Sequence, residues 1–278
     1  MYNPVRRIAL GGGGAKGILH IGALQELSKT QKLNFPDGIY GSSVGAVIAT
    51  CVAFNLPLNG ILQFVSKCSS IESLVPSKFE MRGVSKVFSE KGIYGMDIFE
   101  KRIVELFDTN GISISDKLLK DAHMPLHIVA SNLTTGKPTV FSGNIRVIDA
   151  LKCSCCIPVL FRPIDLYGQM YIDGDILTPC IASIAPPGTI VISLHKKRKR
   201  SITPSIIDSI SPVEYVSGLY WMVTRRLQMS QSSPTTLGLS YPNLHSDSDL
   251  SDHDIDKILE TASREFGRFL RAQRLYQE

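Results

Sequence analysis

Gly38-Ile39-Tyr40-Gly41-Ser42-Ser43-Val44-Gly45-Ala46 is the stretch on which the fold turns. A short β-type run, Gly38 to Tyr40, leads into it and a helix-like run over residues 46–55 leads out, with Gly41-Ser42-Ser43-Val44-Gly45 between them. In a strand-turn-helix setting this Gly-x-Ser-x-Gly spacing makes a nucleophile elbow. The turn is so sharp that Ser43 takes a strained backbone conformation, and Gly41 and Gly45 let neighbouring backbone approach without a Cβ clash. The hydroxyl then stands exposed at the tip, and the following helix aims its N-terminal amides at negative charge forming there. The same pentapeptide also occurs as a plain Gly/Ser turn opening a buried helix, so its meaning depends on what the rest of the chain supplies.

Upstream, residues 6–10 read as an apolar strand that runs directly into Gly11-Gly12-Gly13-Gly14-Ala15-Lys16-Gly17 and then into a helix ending near Lys29. The loop contains Gly12-x-Gly14-x-x-Gly17, which has two readings. As a dinucleotide fingerprint it calls for an acidic residue about twenty positions on, and Asp37 is the candidate, although it sits in a turn before the next strand. In the other reading the amides of Gly12, Gly13 and Gly14 face Ser43 across adjacent strand ends and bind the oxygen of a tetrahedral intermediate.

Downstream, helices are expected over residues 58–65 and 97–107, with a loop over 69–95. Strands follow over 126–130 and 139–141, with a turn at 134–137 between them, and a short helix over 146–152 is ended by residues 153–158. Met170-Tyr171-Ile172 leads as a strand into Asp173-Gly174-Asp175, and residues 190–194 form the last strong strand. Strands alternating with helices imply an α/β fold with a mostly parallel sheet, whose carboxyl rim would hold Gly11, Ser43 and Asp173. Residues 206–229 read as one helix broken near Pro212, 235–239 are ambiguous, and 252–273 form an amphipathic helix with Ile255, Ile258, Ala262, Phe266 and Leu270 on one face.

The length of 278 residues and 44% hydrophobic content fit a single domain over residues 1–278, with a motif-bearing core at about 5–195 and a helical C-terminal extension at about 205–278. The net charge is +5, with basic residues concentrated from His195 to Arg200 and at Arg264, Arg268, Arg271 and Arg274. Such clusters suit a solvated surface or peripheral contact with an anionic membrane. No aromatic residues interleave with them as a stacking surface for nucleic acid requires, so no nucleic-acid partner is expected. The cysteines, including Cys153, Cys155 and Cys156, have no second pair at zinc spacing, so neither a metal nor any other cofactor is expected. The N-terminus lacks the apolar core of a signal peptide, and residues 38–66, though uncharged, are rich in Gly, Ser, Asn and Pro and read as a buried segment. An intracellular location, cytoplasmic or peripheral at membranes, follows as the expectation.

A serine hydroxyl needs a base to take its proton. His195 follows a strand end and comes after Asp173, giving the chain order Ser, Asp, His of α/β-hydrolases, but it opens a basic run. Asp173 is the alternative: it follows a strand, has Gly174 behind it for a tight turn, and is ionised near neutral pH.

Four ordered segments carry a family resemblance: Gly12 to Gly17, Gly41 to Gly45, Cys153-Ser154-Cys155-Cys156-Ile157-Pro158, and Asp173-Gly174. In order and spacing the chain resembles the patatin-like phospholipases over about residues 5–195. The resemblance implies a three-layer α/β/α lipid acyl hydrolase that uses a Ser-Asp dyad without a metal. Ser43 would be the nucleophile, Asp173 the base, and the amides of Gly12 to Gly14 the oxyanion hole. Lys16 would steady the loop or meet a phosphate, and phospholipid or another acyl-ester lipid would be the substrate. Asp175 departs from the family's usual Gly or Ala, which implies hindrance to an anionic head group or altered activity. The rival expectation is a catalytically weak lipid-binding protein that keeps the fold.

Overall fold

The structure is a computed structural model, and it describes residues 3–67, 89, 91–195, 202–210, 212–242, 244 and 250–273. The basic run beyond His195, most of the 69–95 segment, Cys68, His245 and Arg274 lie outside these residues.

The apolar run Ile8–Leu10 (β1) is fully buried and lies between two parallel neighbours, β2 (Ile39–Ser42) and β9 (Ile190–Leu194). β4 (Leu126–Asn132) extends the sheet beyond β2 and β10 (Thr236–Leu239) extends it beyond β9, again in parallel. Parallel neighbours require crossovers. α1 (Ile18–Ser28) makes the first, and the chain between β2 and β4 carries α2 (Val44–Ala53), α3 (Leu58–Lys67), β3 (Gly92–Tyr94) and α4 (Asp97–Asp108). β5 (Lys137–Phe141) returns antiparallel to β4, α5 (Val147–Cys155) follows, and β6 (Val159–Phe161) pairs with β3 apart from the main sheet. β7 (Ile164–Leu166) and β8 (Gln169–Ile172) form a hairpin whose turn residues, Tyr167 and Gly168, both have positive φ, the type I′ pattern. The chain ends in α6 (Pro212–Gln231) and α7 (Asp252–Ala272).

The central sheet is mostly parallel, as the alternation of strands and helices implied, but the strand leading into Asp173 is not one of the parallel set. β8 runs antiparallel to β4, with Ser131 opposite Ile172. Because β5 occupies one flank of β4 along Ile128–Asn132 and β2 pairs with the other flank through Val129, β8 must use the flank of β2. The two strands therefore share one lane beside β4: β2 climbs to Ser42 and β8 descends to Ile172, end to end. The reason is the Tyr167-Gly168 turn, which reverses the chain within the short space after α5.

Other differences are smaller. β2 runs into the pentapeptide, to Ser42, and α5 extends to Cys155 before Cys156 and Pro158 end it. In the C-terminal part, expected to be largely helical with residues 235–239 ambiguous, those residues contribute β10 to the sheet edge. Residues 38–66 are divided among a strand, the elbow and two helices, and no helix among the described residues is long and apolar enough to cross a membrane.

Strand alternation separates the two faces of the sheet. Ile8, Leu10, Ile39, Ile128 and Ile192 belong to the large core with α1 and α2, while Ala9, Tyr40, Val129 and Val191 meet Cys180 and Ile181 on the other face. α7 lies along α1, with Ile258, Ala262, Phe266 and Leu270 buried. The approach is close: a Cβ on Gly22 would stand 2.5 Å from the Leu259 carbonyl oxygen and 2.9 Å from the Ala262 Cβ. Gly22→Val is therefore expected to lose about 2 kcal/mol of stability by overpacking. A lower urea midpoint with an unchanged slope would show it.

Candidate active site

The site begins with backbone strain. Ser43 has φ 53 and ψ −127, a conformation that costs of order 1–3 kcal/mol for a non-glycine residue. Its surroundings hold it there. The Ser43 amide donates to Ser154 Oγ at 2.9 Å, Ser154 Oγ donates to the Val129 carbonyl at 2.6 Å, and Cys155 Sγ donates to the Ser43 carbonyl at 3.3 Å. Burial pushes the Cys155 thiol well above its ordinary pKa, with further upward pressure from Asp173, so the sulfur keeps the proton it donates. The end of α5 thus grips the elbow by both polar backbone groups. Glycine is required behind the turn, since a Cβ on Gly45 would stand 2.1 Å from the Leu10 carbonyl oxygen and one on Gly41 2.5 Å from the Ala46 Cα.

The Ser43 hydroxyl donates to Asp173 Oδ2 at 2.7 Å. Asp173 is only 4% exposed, and its second oxygen, Oδ1, accepts from the Asp175 amide at 2.8 Å. Its own amide donates to the Cys156 carbonyl at 2.8 Å, tying Asp173 to the end of α5 as well. Gly174 allows this approach, because a Cβ there would lie 2.4 Å from the Val129 carbonyl oxygen and 2.5 Å from Ser42 Oγ. His195 is elsewhere. Its amide pairs with the Leu239 carbonyl, and its ring covers Gly238 in β10, at the far side of β9 and β1 from the elbow.

Asp175 corrects one expectation and sharpens another. Its carboxylate is buried, with Oδ1 accepting from the Gly12 amide at 3.1 Å and from the Ser42 hydroxyl at 3.2 Å. It is turned inward as a clasp on the ends of β1 and β2, so it does not stand in the path of a head group. The Gly12 amide is consequently taken, whereas the Gly13 and Gly14 amides donate to no group among the described residues. Gly12 serves the clasp by close approach: a Cβ there would lie 2.4 Å from the carboxylate. Gly17 likewise fits against α2, its Cβ position being 2.7 Å from Val44 Cγ2. Lys16, nearly buried, donates from Nζ to the His195 carbonyl at 3.0 Å and so ties the loop to the end of β9.

The dinucleotide reading of the same glycines is overturned by the position of Asp37. That residue precedes β2, at the amino end of the parallel strands, and Arg6 holds both its oxygens at 2.9 Å. It cannot reach a ligand cradled at the carboxyl end.

His20 went unassigned in the sequence because nothing about its position on α1 distinguishes it. Fully buried, it places Nε2 2.7 Å from the Gly11 carbonyl oxygen. A carbonyl only accepts, so Nε2 carries the proton, and Nδ1 is left as a buried lone pair without a partner among the described residues. Burial lowers the imidazole pKa to about 4, outweighing the upward pull of the Gly11 bond. Between pH 6.5 and about 4 the unfolded chain binds a proton that the folded chain refuses, so this contribution to stability is complete above pH 6.5 and is lost as the pH falls. The loss should reach about 3 kcal/mol near pH 4. Urea midpoints at pH 7 and 4.5 should diverge more for wild type than for His20→Gln, which keeps a donor toward Gly11.

Comparison with known proteins places these features in context. The family model described as patatin-like phospholipase matches residues 8–185. The Bacillus subtilis protein YqhO is 27% identical over 186 residues, covering 60% of this chain and 62% of its own. A probable lipid hydrolase of Invertebrate iridescent virus 6 is 24% identical over 209 residues, covering 73% and 68%. The crystal structure of VipD from Legionella pneumophila superposes with a TM-score of 0.58 at 13% identity, over 98% of this chain and 68% of that one, a likeness of fold.

Proposed function

Since the chain belongs to the patatin-like phospholipase family, we propose that it is a carboxylic ester hydrolase acting on phospholipid acyl chains through Ser43 and Asp173. The observation that carries the reading is the 2.7 Å hydrogen bond from the Ser43 hydroxyl to a buried carboxylate. In the first step Ser43 Oγ attacks the acyl carbonyl carbon while its proton passes to Asp173 Oδ2. The oxygen that becomes negative is held by the amides of Gly13 and Gly14 and by the dipole of α2. The tetrahedral intermediate collapses with cleavage of the ester C–O bond, and the departing lysophospholipid alkoxide takes the proton from Asp173. Water then gives a proton to Asp173 and attacks the acyl-Ser43 carbonyl. The second collapse releases the fatty acid, and Ser43 recovers its proton.

The reading is tested by incubating the full chain with phosphatidylcholine and phosphatidylglycerol vesicles in EDTA, measuring free fatty acid, and mapping the adduct of a fluorophosphonate probe. Fatty acid release with the adduct on Ser43 is the expected result. A folded protein that releases none and leaves Ser43 unlabelled would overturn it.

A further inference from the structure

Outside the site, the largest concentration of exposed apolar side chains among the described residues lies on α6. Tyr215, Leu219, Met222, Val223 and Met229 are 46%, 45%, 58%, 54% and 69% exposed. At 100° per residue Tyr215, Leu219, Met222, Arg226 and Met229 project within about 40° of one direction. Thr224 and Gln228, buried, face the opposite way. The stripe is therefore the true outer face of a docked helix, and an exposed apolar face of this kind marks a contact surface.

The inner face fixes where that surface points. Gln228 Nε2 donates to the Leu194 carbonyl at 3.1 Å and to Ser193 Oγ at 2.8 Å, at the carboxyl end of β9. Gln231 donates to the Leu177 carbonyl at 3.0 Å and accepts from the Cys180 amide at 3.2 Å, on the segment that follows Asp173 to Asp175. α6 is thus bolted to the same rim of the sheet that carries Ser43. Charge chooses the occupant. Arg225 and Arg226 are exposed beside the apolar residues, Arg225 lies 5.3 Å from the centre of the Trp221 ring, and the chain carries +5 overall. An apolar stripe with Arg226 set within it and Arg225 at its edge suits a helix that lies in the interface of an anionic bilayer, its apolar side chains among the acyl chains and its long cationic side chains reaching the phosphates.

We infer that the outer face of α6 seats the protein on an anionic phospholipid surface and so brings the Ser43 rim to its substrate. This rests on the hydrolase reading for its purpose, though not for its measurement.

Flotation of the full chain with phosphatidylcholine vesicles, and with mixed phosphatidylcholine and phosphatidylglycerol vesicles, tests it, with hydrolysis of soluble p-nitrophenyl butyrate measured in parallel. Wild type should float with the mixed vesicles more than with the neutral ones, and Ser43→Ala should float equally well. Leu219→Asp with Met222→Asp should weaken binding at least tenfold with an unchanged urea midpoint, because both positions are exposed. Arg225→Gln and Arg226→Gln should each weaken binding to the mixed vesicles about fivefold. Flotation of the double aspartate variant at the wild-type level would overturn the inference. So would a wild-type dimer that ignores vesicles and that the same variant converts to a monomer, since the stripe would then be covered by a second copy. A chain that hydrolyses the soluble ester yet never floats overturns the docking and spares the hydrolase reading. One that floats through α6 but is inert does the reverse.

Discussion

Asp173→Asn is expected to lower turnover of an acyl ester about 10⁴-fold while leaving the chain folded. Asparagine fills the same volume, and its oxygen can still accept from the Asp175 amide, as Asp173 Oδ1 does at 2.8 Å. What it cannot do is take the Ser43 proton, because the group that lies 2.7 Å from Ser43 Oγ becomes either a neutral carbonyl or an NH₂ donor. Ser43→Ala should cost a comparable factor, and the two losses should not add. Once either partner is gone the acyl transfer step has no route through the other, and the remaining rate comes from binding and the oxyanion donors. The check is kcat for both single variants and the double variant, with circular dichroism as a control. A double variant that is slower by the product of the single losses would mean that the two residues act independently, which the dyad forbids.

Asp175→Ala is the second large effect, and it acts through structure. Removing the carboxylate leaves the Gly12 amide and the Ser42 hydroxyl, both buried against it, without their acceptor. Each unsatisfied buried donor costs about 1–3 kcal/mol, so a loss of about 3 kcal/mol is expected, with a Tm lower by roughly 10 °C. Turnover should fall at least 100-fold, since the glycine loop and the elbow lose the group that fixes them relative to each other. Asp175→Asn keeps an acceptor and should fall between the Ala variant and wild type in both measurements. A thermal melt and a kcat measurement on the three proteins decide it. An Ala variant that melts like wild type would show that the sheet alone positions the strand ends.

These two residues also mark how far the sequence could be read. Ser43 and its flanking glycines were legible because an elbow packs its demands into consecutive positions, where steric need and residue type coincide. Asp173 was legible as one of two candidate bases, and the motif order favoured it over His195. The clasp was not legible, because a bond between Gly12 and Asp175 spans 163 residues and leaves no periodic trace; Asp175 read as an intruder in the site. Ser154 was visible only as part of a small-residue segment, since a serine that holds the Ser43 amide looks like any serine at the end of a helix. Strand direction was hidden for a different reason. Alternation reports which residues face the core and is blind to whether the strand runs up or down, so the antiparallel course of β8 leaves no mark in the sequence pattern. The amphipathic pattern of α7 announced its core face, whereas α6 carries apolar residues on its outer face, and no pattern in the sequence separates an apolar stripe meant for the core from one meant for a partner.

The end-to-end meeting of β2 and β8 beside β4 sets where this protein can absorb change in length. The hydrogen-bonded pair Ser43 and Asp173 sits at a junction whose spacing is counted in β4 residues, from Val129 opposite Ser42 to Ser131 opposite Ile172. A single residue inserted into β4 at that junction would draw serine and aspartate apart by roughly 3.3 Å and turn one of them to the other face. The Tyr167-Gly168 turn lies at the other end of the hairpin, and residues added there would lengthen a loop without altering that count. Insertions that preserve activity should therefore gather at the hairpin tip and be absent from the middle of β4, and grafting a tag or reporter into this chain should follow the same map.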